Sequence, residues 1–337
     1  MILSSVTSFF LTLLFGKMLI PVLVNLKFGQ TILKIGPAWH QKKQGTPTMG
    51  GISFILGIFL SLLIYVPVYY MNFGKQVVET DFMILKLISG LLMSLGYGLI
   101  GFVDDYIKIK RGKNLGLSAK QKLIMQFMVS SSFLGSIYLS ECTYFGAPRT
   151  FVNIPFFGLV NFDSFYWIFS SLVIVGIVNA VNLTDGIDGL CGSVSVICSL
   201  GFIIVSKIFN MQGLGMISSC MLGACLGFLV WNFHPAKVFM GDTGSLFLGG
   251  LICALGFITG DVSLLIMFSM TYILEMFSVM AQVLYFKISH GKRLFKMSPI
   301  HHHFEMIGFS ENKICITFAL ATLLFIILGI FLGVSNC

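Results

Sequence analysis

The sequence predicts an all-α, polytopic membrane protein with about ten transmembrane helices, both termini outside and an active site on its cytoplasmic loops. Three observations predict it. Only 10% of the 337 residues are charged and 56% are hydrophobic, with mean hydropathy +0.94, whereas a soluble domain carries about 25% charged residues. Apolar runs approaching the ~20 residues that a bilayer core requires recur ten times along the chain. Basic residues gather in alternate loops, as they do on the cytoplasmic side of membrane proteins.

The runs lie at 3–26, 51–70, 82–103, 122–139, 165–181, 190–209, 214–231, 245–258, 262–286 and 314–334. The first is read as a span and not a signal peptide, because its first basic residue, Lys17, lies inside the run and no positively charged segment precedes it. Lys17 can snorkel to the cytoplasmic end. The eighth run is short, so it is expected to be tilted, broken or extended into its flanking glycines. The ninth carries Glu275, the one acidic residue well inside an apolar run, which is left unassigned. The whole of 1–337 is read as one integral membrane domain.

Sixteen Lys and Arg residues fall in loops after odd-numbered runs and four (Lys75, Lys86, Arg149, Lys207) after even-numbered ones, which places the odd loops in the cytoplasm. The net charge of +8 therefore reflects orientation and implies no nucleic-acid partner. The eight cysteines show no CxxC spacing and mostly lie in apolar runs, as small buried hydrophobes.

Every unusual polar cluster lies at a cytoplasmic end: GTPTMGG (45–51), GFVDDYIKIKRGK (101–113), NLTDGIDGL (182–190), WNFHPAKVFMGDTGS (231–245) and SPIHHHFEMIG (298–308). Five loops on one face can converge on one site. Asp104 and Asp105 close the third run, where a helix dipole disfavours negative charge unless a cation such as Lys108, one turn on, offsets it. Asp185 and Asp188 share a face if their segment is helical, or occupy an Asn/Asp/Gly turn between helices; Gly186 and Gly189 allow close backbone approach. Asp242 opens the eighth run, where free backbone N–H groups bind anions, although Asp242 or Thr243 could equally cap the helix. Together the carboxylates, without cysteine, point to Mg²⁺ or Mn²⁺ held against phosphate, with basic loops for a polyanionic substrate. His301, His302 and His303 are turned about 100° apart on a helix, which favours phosphate contacts by one or two of them over a zinc site. His234, before Pro235, reads as a helix-boundary residue.

GTPTMGG, VDDYIK, NLTDGIDGL, FMGDTGS and PIHHHFE, in this order, resemble the bacterial phospho-N-acetylmuramoyl-pentapeptide transferases, a branch of the polyprenyl-phosphate N-acetylhexosamine 1-phosphate transferases. The resemblance covers essentially the whole chain, with small departures at Ile187 and Cys191. It implies a multi-pass enzyme of the bacterial inner membrane, facing the cytoplasm. Its substrates would be UDP-N-acetylmuramoyl-pentapeptide and the membrane lipid undecaprenyl phosphate, its products lipid I and UMP, its cofactor Mg²⁺, and its assembly a homodimer. Carried onto matching positions, the resemblance makes Asp242 the Mg²⁺ ligand, places Asp104 and Asp105 near the lipid phosphate, and sets Lys120 and His301 on phosphate. Lys43, Thr48, Asn182, Asp185, Gly186, Asp188, Asn232, Gln282 and His302 would line the substrate pocket, with Phe239 stacked on uracil. A sister transferase acting on UDP-N-acetylglucosamine is the first alternative; an anion transporter is the second, disfavoured because no internal repeat is evident and the acidic residues, apart from Glu275, lie at span ends.

Overall fold

A computed structural model describes residues 1–26, 28, 43–73, 81–111, 115–154 and 157–334; Lys27, Lys34, Lys42, Lys75, Lys113, His40 and Cys337 lie outside them. In chain order its helices are α1 (Ile2–Asn25), α2 (Gly51–Phe73), α3 (Asp81–Arg111), α4 (Ala119–Phe145), α5 (Phe165–Thr184), α6 (Leu190–Ile208) and α7 (Gln212–Asn232). They continue as α8 (Gly241–Thr259), α9 (Val262–Phe268), α10 (Met270–Ile288), α11 (Ile300–Met306) and α12 (Glu311–Val334). Among the described residues nine helices are long and apolar enough to cross a membrane, and α9 with α10 supply a tenth, bent span. The protein is thus an all-α multi-pass membrane protein.

On the first helix polar and small residues mark the buried face. On α1 the buried positions are Ser4, Ser8, Thr12, Gly16 and Leu23, while Ile2, Phe10, Met18 and Val22 point outward. Lipid tails are as apolar as leucine, so helices associate through small residues that let backbones approach. The stripe meets α7: the Ser8 hydroxyl donates to the Cys220 carbonyl at 2.7 Å, and a Cβ added at Gly223 would land on the Ser5 carbonyl. At the centre, every residue of α8 from Thr243 through Ile258 is buried, with α3, α5 and α2 packed around it.

Two features depart from the sequence reading. The ninth run, expected as one span over 262–286, is α9 and α10, bent by 72°. Neither Pro nor Gly marks the break; packing imposes it, since α9 lies against α12 while α10 lies against α5. The segment joining α4 to α5 carries an antiparallel hairpin, β1 (Phe151–Ile154) and β2 (Gly158–Asn161), paired from Phe151 with Asn161 to Ile154 with Gly158. Near it, at the end of α3 far from Asp104, Lys86 Nζ lies 3.3 Å from Glu141 Oε1, with both side chains buried.

The seven described cysteines are unpaired, and six of them are buried. The packing makes a prediction. Gly223→Leu forces a side chain onto backbone that cannot move aside, where overpacking costs about 1–3 kcal/mol or more. It should remove most of the folded, monodisperse protein in detergent, whereas Gly135→Leu, at a position with open space around its Cβ, should keep the wild-type melting temperature.

Candidate active site

The site forms where the end of α3 meets the start of α8. Helix α3 does not stop at Val103 but continues two turns to Arg111, so Asp104 and Asp105 leave it about 100° apart and serve different partners. Met240, at the α8 N-cap, makes no capping bond with its side chain. Asp105 supplies the cap from across the interface: Oδ1 accepts from the Asp242 N–H at 3.2 Å, and Oδ2 accepts from the Thr243 N–H at 2.9 Å and its hydroxyl at 2.8 Å. A carboxylate belongs at a helix N-terminus, where unpaired N–H groups carry partial positive charge. The approach requires glycines. Gly241 has φ +72°, and a Cβ there would lie 2.6 Å from Asp105 Oδ2; a Cβ at Gly101 would strike the Asp242 carbonyl, and one at Gly116 would strike Asp104 Oδ1.

Asp104 accepts from the Leu117 N–H at 2.6 Å and meets Lys108 at 2.6 Å, the compensating cation that the sequence suggested. Asp242 Oδ2 meets Lys108 and Lys122, each at 2.9 Å, and Oδ1 accepts from Asn182 at 2.8 Å. Oxygens of Asp104, Asp105 and Asp242 all lie within 4.8 Å of one another. Asp242 is the accessible member, its side chain 17% exposed, while Asp104 and Asp105 are buried at 3% each. The donors are all hard oxygens, the set suited to Mg²⁺.

The neighbouring loops are tied to this junction through backbone. Phe239 N–H donates to the Pro47 carbonyl, and Gly50 and Gly51 N–H groups donate to the carbonyls of Phe239 and Met240, which brings buried Thr48 beside Gly241 and half-buried Phe239 next to both. Residues 185–189 form a turn and not a helix, with Asp185 ending α5 and Gly189 at φ +79°. Burial, then the charges of Asp242, Asp105 and Asp188, push the Asp185 carboxyl well above the usual carboxylate range.

Asp188 turns the other way. It meets Lys43 at 2.7 Å and His234 at 3.0 Å and accepts from the Ala236 N–H at 3.0 Å. Lys43 also meets Glu311 at 2.6 Å. Asp188, His234 and Glu311 form a second group with ligand atoms within 4.8 Å, its two carboxylates already bridged by Lys43. Asn232 braces the same corner, accepting from the Gly189 N–H at 3.1 Å and donating to the Val238 carbonyl at 2.9 Å.

The histidines lie on α11 and diverge. His301 is wholly buried, 3.1 Å from Glu275 on α10; His302 meets Glu305 at 2.6 Å; His303 accepts from the Lys296 N–H at 3.2 Å. Gln282 accepts from the Phe295 N–H at 2.8 Å. Lys120 stands exposed on the first turn of α4, and Lys122, two residues on, is the lysine that reaches Asp242. Sequence reasoning missed Lys122, Glu311 and Ser245, which takes a 2.8 Å hydrogen bond from Asn182; Lys122 was counted only as loop charge and Ser245 only as a helix start, and Glu311, just before the tenth run, was not singled out.

Known proteins share these segments. The family model described as Glycosyl transferase family 4 matches residues 87–260, and Phospho-N-acetylmuramoyl-pentapeptide-transferase signature 1 matches residues 43–55. The chain is 42% identical over 335 residues to the phospho-N-acetylmuramoyl-pentapeptide-transferase of Halalkalibacterium halodurans, covering 99% of this chain and 98% of the relative. It is 43% identical over 332 residues to that of Bacillus licheniformis, covering 98% and 96%, and 42% identical over 327 residues to that of Bacillus subtilis, covering 97% and 95%. With carboxylates, lysines and helix terminus gathered from those matched segments, the chain belongs to the phospho-N-acetylmuramoyl-pentapeptide-transferase family.

Proposed function

We propose that the enzyme moves phospho-N-acetylmuramoyl-pentapeptide from UDP-N-acetylmuramoyl-pentapeptide to undecaprenyl phosphate at the cytoplasmic face of the bacterial inner membrane. An oxygen of the lipid phosphate bonds to the β-phosphorus of the nucleotide, the bond from that phosphorus to the bridging oxygen breaks, and UMP leaves with lipid I as the other product. The observation that carries the reading is the approach of Asp104, Asp105 and Asp242 to within 4.8 Å beside Lys108 and Lys122. Carboxylates and ammonium groups at a helix N-terminus suit phosphoryl transfer, in which positioning and charge stabilisation do most of the work.

In this reading Asp242 holds Mg²⁺, being the exposed carboxylate of the three. When bound, Mg²⁺ neutralises charge that develops on the diphosphate. Asp104 orients the lipid phosphate or takes its proton. Asp105, with both oxygens committed to α8, positions Asp242. Lys108 and Lys122 exchange their carboxylate contacts for phosphate oxygens as substrate enters, and Lys120 and His301 add phosphate contacts. Lys43, Thr48, Asn182, Asp185, Gly186, Asp188, Asn232, Gln282 and His302 shape the nucleoside-sugar pocket, with Phe239 beneath uracil. The transfer is a single displacement; a phospho-sugar trapped on the enzyme without lipid would contradict that.

Purified enzyme should release UMP from UDP-N-acetylmuramoyl-pentapeptide and undecaprenyl phosphate, stop with EDTA and recover with Mg²⁺. Release only from UDP-N-acetylglucosamine would move the chain to the sister branch. Two substitutions separate the carboxylates. Asp242→Ala should abolish release and leave the melting temperature near wild type. Asp105→Ala should lower both, since loss of a cap costs about 1 kcal/mol and leaves buried N–H groups unpaired; Asp105→Asn, which keeps an acceptor, should be more stable than Asp105→Ala. Equal melting temperatures for Asp105→Ala and wild type would remove its positioning role.

A further inference from the structure

Glu275 lies in the interior of α10 and has no part in the mechanism above. Its side chain and that of His301 are both 0% exposed, with Oε1 3.1 Å from Nδ1. Both oxygens of Glu275 and both ring nitrogens of His301 are inaccessible, and among the described residues no aligned hydrogen bond reaches any of the four. Each is therefore the other's nearest polar partner. An ionisable group inside a membrane helix is costly to keep and is a functional hypothesis by default. Stability does not explain it, because apolar residues of similar shape can replace both members of a buried polar pair with little loss.

The rest of the α10 face shows what Glu275 serves. Ser278 Oγ accepts from the Ile300 N–H at 2.9 Å, and Gln282 accepts from the Phe295 N–H at 2.8 Å. Residues 275, 278 and 282 share one side of a helix, and all three are buried. Two of them anchor the backbone that leads into α11; Glu275 addresses the first histidine of α11. On its far side that ring meets the substrate loop: a Cβ at Gly186 would strike His301 Nε2. The imidazole is thus held between a carboxylate at Nδ1 and the Asp185–Gly186 turn at Nε2. A carboxylate at one ring nitrogen fixes the tautomer and aim of the other.

We propose that Glu275 is a positioning residue of the transferase, which holds His301 so that Nε2 faces the Asp185–Gly186 turn of the donor pocket. Glu275 touches no substrate and acts through His301. The inference rests on the reading of His301 as a phosphate contact.

The test compares wild type, Glu275→Asp, Glu275→Gln, His301→Ala and the Glu275→Gln/His301→Ala double variant as full-length, detergent-solubilised enzyme. UMP release gives kcat and KM, single-turnover conversion of radiolabelled donor reads the slow variants, and melting temperature checks folding. Glu275→Gln should lower kcat about 10- to 100-fold, the usual effect of losing the partner of a functional histidine. Nucleotide KM should stay within about twofold of wild type, and Glu275→Asp, which keeps the charge, should recover part of the loss. The double variant should be no slower than His301→Ala. Wild-type kcat in Glu275→Gln, or an additive loss in the double variant, would overturn the proposal. Wild-type turnover in His301→Ala would instead remove the phosphate-contact reading itself, and with it the basis for Glu275.

Discussion

The structure depends on one carboxylate. Asp105 on α3 accepts three hydrogen bonds from the first turn of α8, and α8 is the helix that every residue from Thr243 to Ile258 buries in the bundle centre. Met240 at the N-cap makes no side-chain capping bond, so the first turn of α8 is held by its dock on α3. That dock fixes Asp242 relative to Asp104, and through Asn182, which binds both Asp242 and Ser245, it fixes the end of α5 as well. The contact needs Gly101 and Gly241 at the interface, since a Cβ at either would collide with it.

Around the dock the charges are crowded and compensated. Asp104 and Asp242 share Lys108, Asp242 also takes Lys122, and Asp188 and Glu311 share Lys43. Among the described residues Asp185 has no such cation, and its carboxyl rises well above the usual range through burial and its acidic neighbours. Buried like charges are tolerated only with partners. A site that holds lysines at these distances is one where a divalent cation can take their place on the carboxylates while the lysines turn to a diphosphate, keeping the charge balance as substrate binds. This couples the fold to the proposed chemistry.

Much of this was legible in the sequence, and the reasons for the rest are specific. The spans were legible because a bilayer imposes length and composition, and the five polar loops because they break the apolar pattern at one end of each pair. The 72° bend between α9 and α10 was not, because packing against α5 and α12 imposes it without Pro or Gly. The hairpin at 151–161 is too short to leave a pattern. A cap on α8 from Asp242 or Thr243 was the alternative reading of that segment; the cap comes from Asp105, a tertiary contact that no local motif encodes. Asp185 and Asp188 were read either on one helical face or in an Asn/Asp/Gly turn; they sit in the turn, and their divergence to different partners is what the segment alone does not show. The stripe at 275, 278 and 282 was present at helical spacing in an apolar run, and only the placement of α11 gives it meaning.

The central claim is that Asp242, held by the Asp105 dock, is where the metal and the diphosphate meet. The most direct measurement is anomalous diffraction from crystals grown with Mn²⁺ and UDP-N-acetylmuramoyl-pentapeptide. The account predicts a manganese peak on the Asp242 carboxylate, with Asp105 still accepting from the Thr243 N–H. A peak at Asp188, His234 and Glu311 instead, or one on Asp105 with the α8 cap broken, would contradict it.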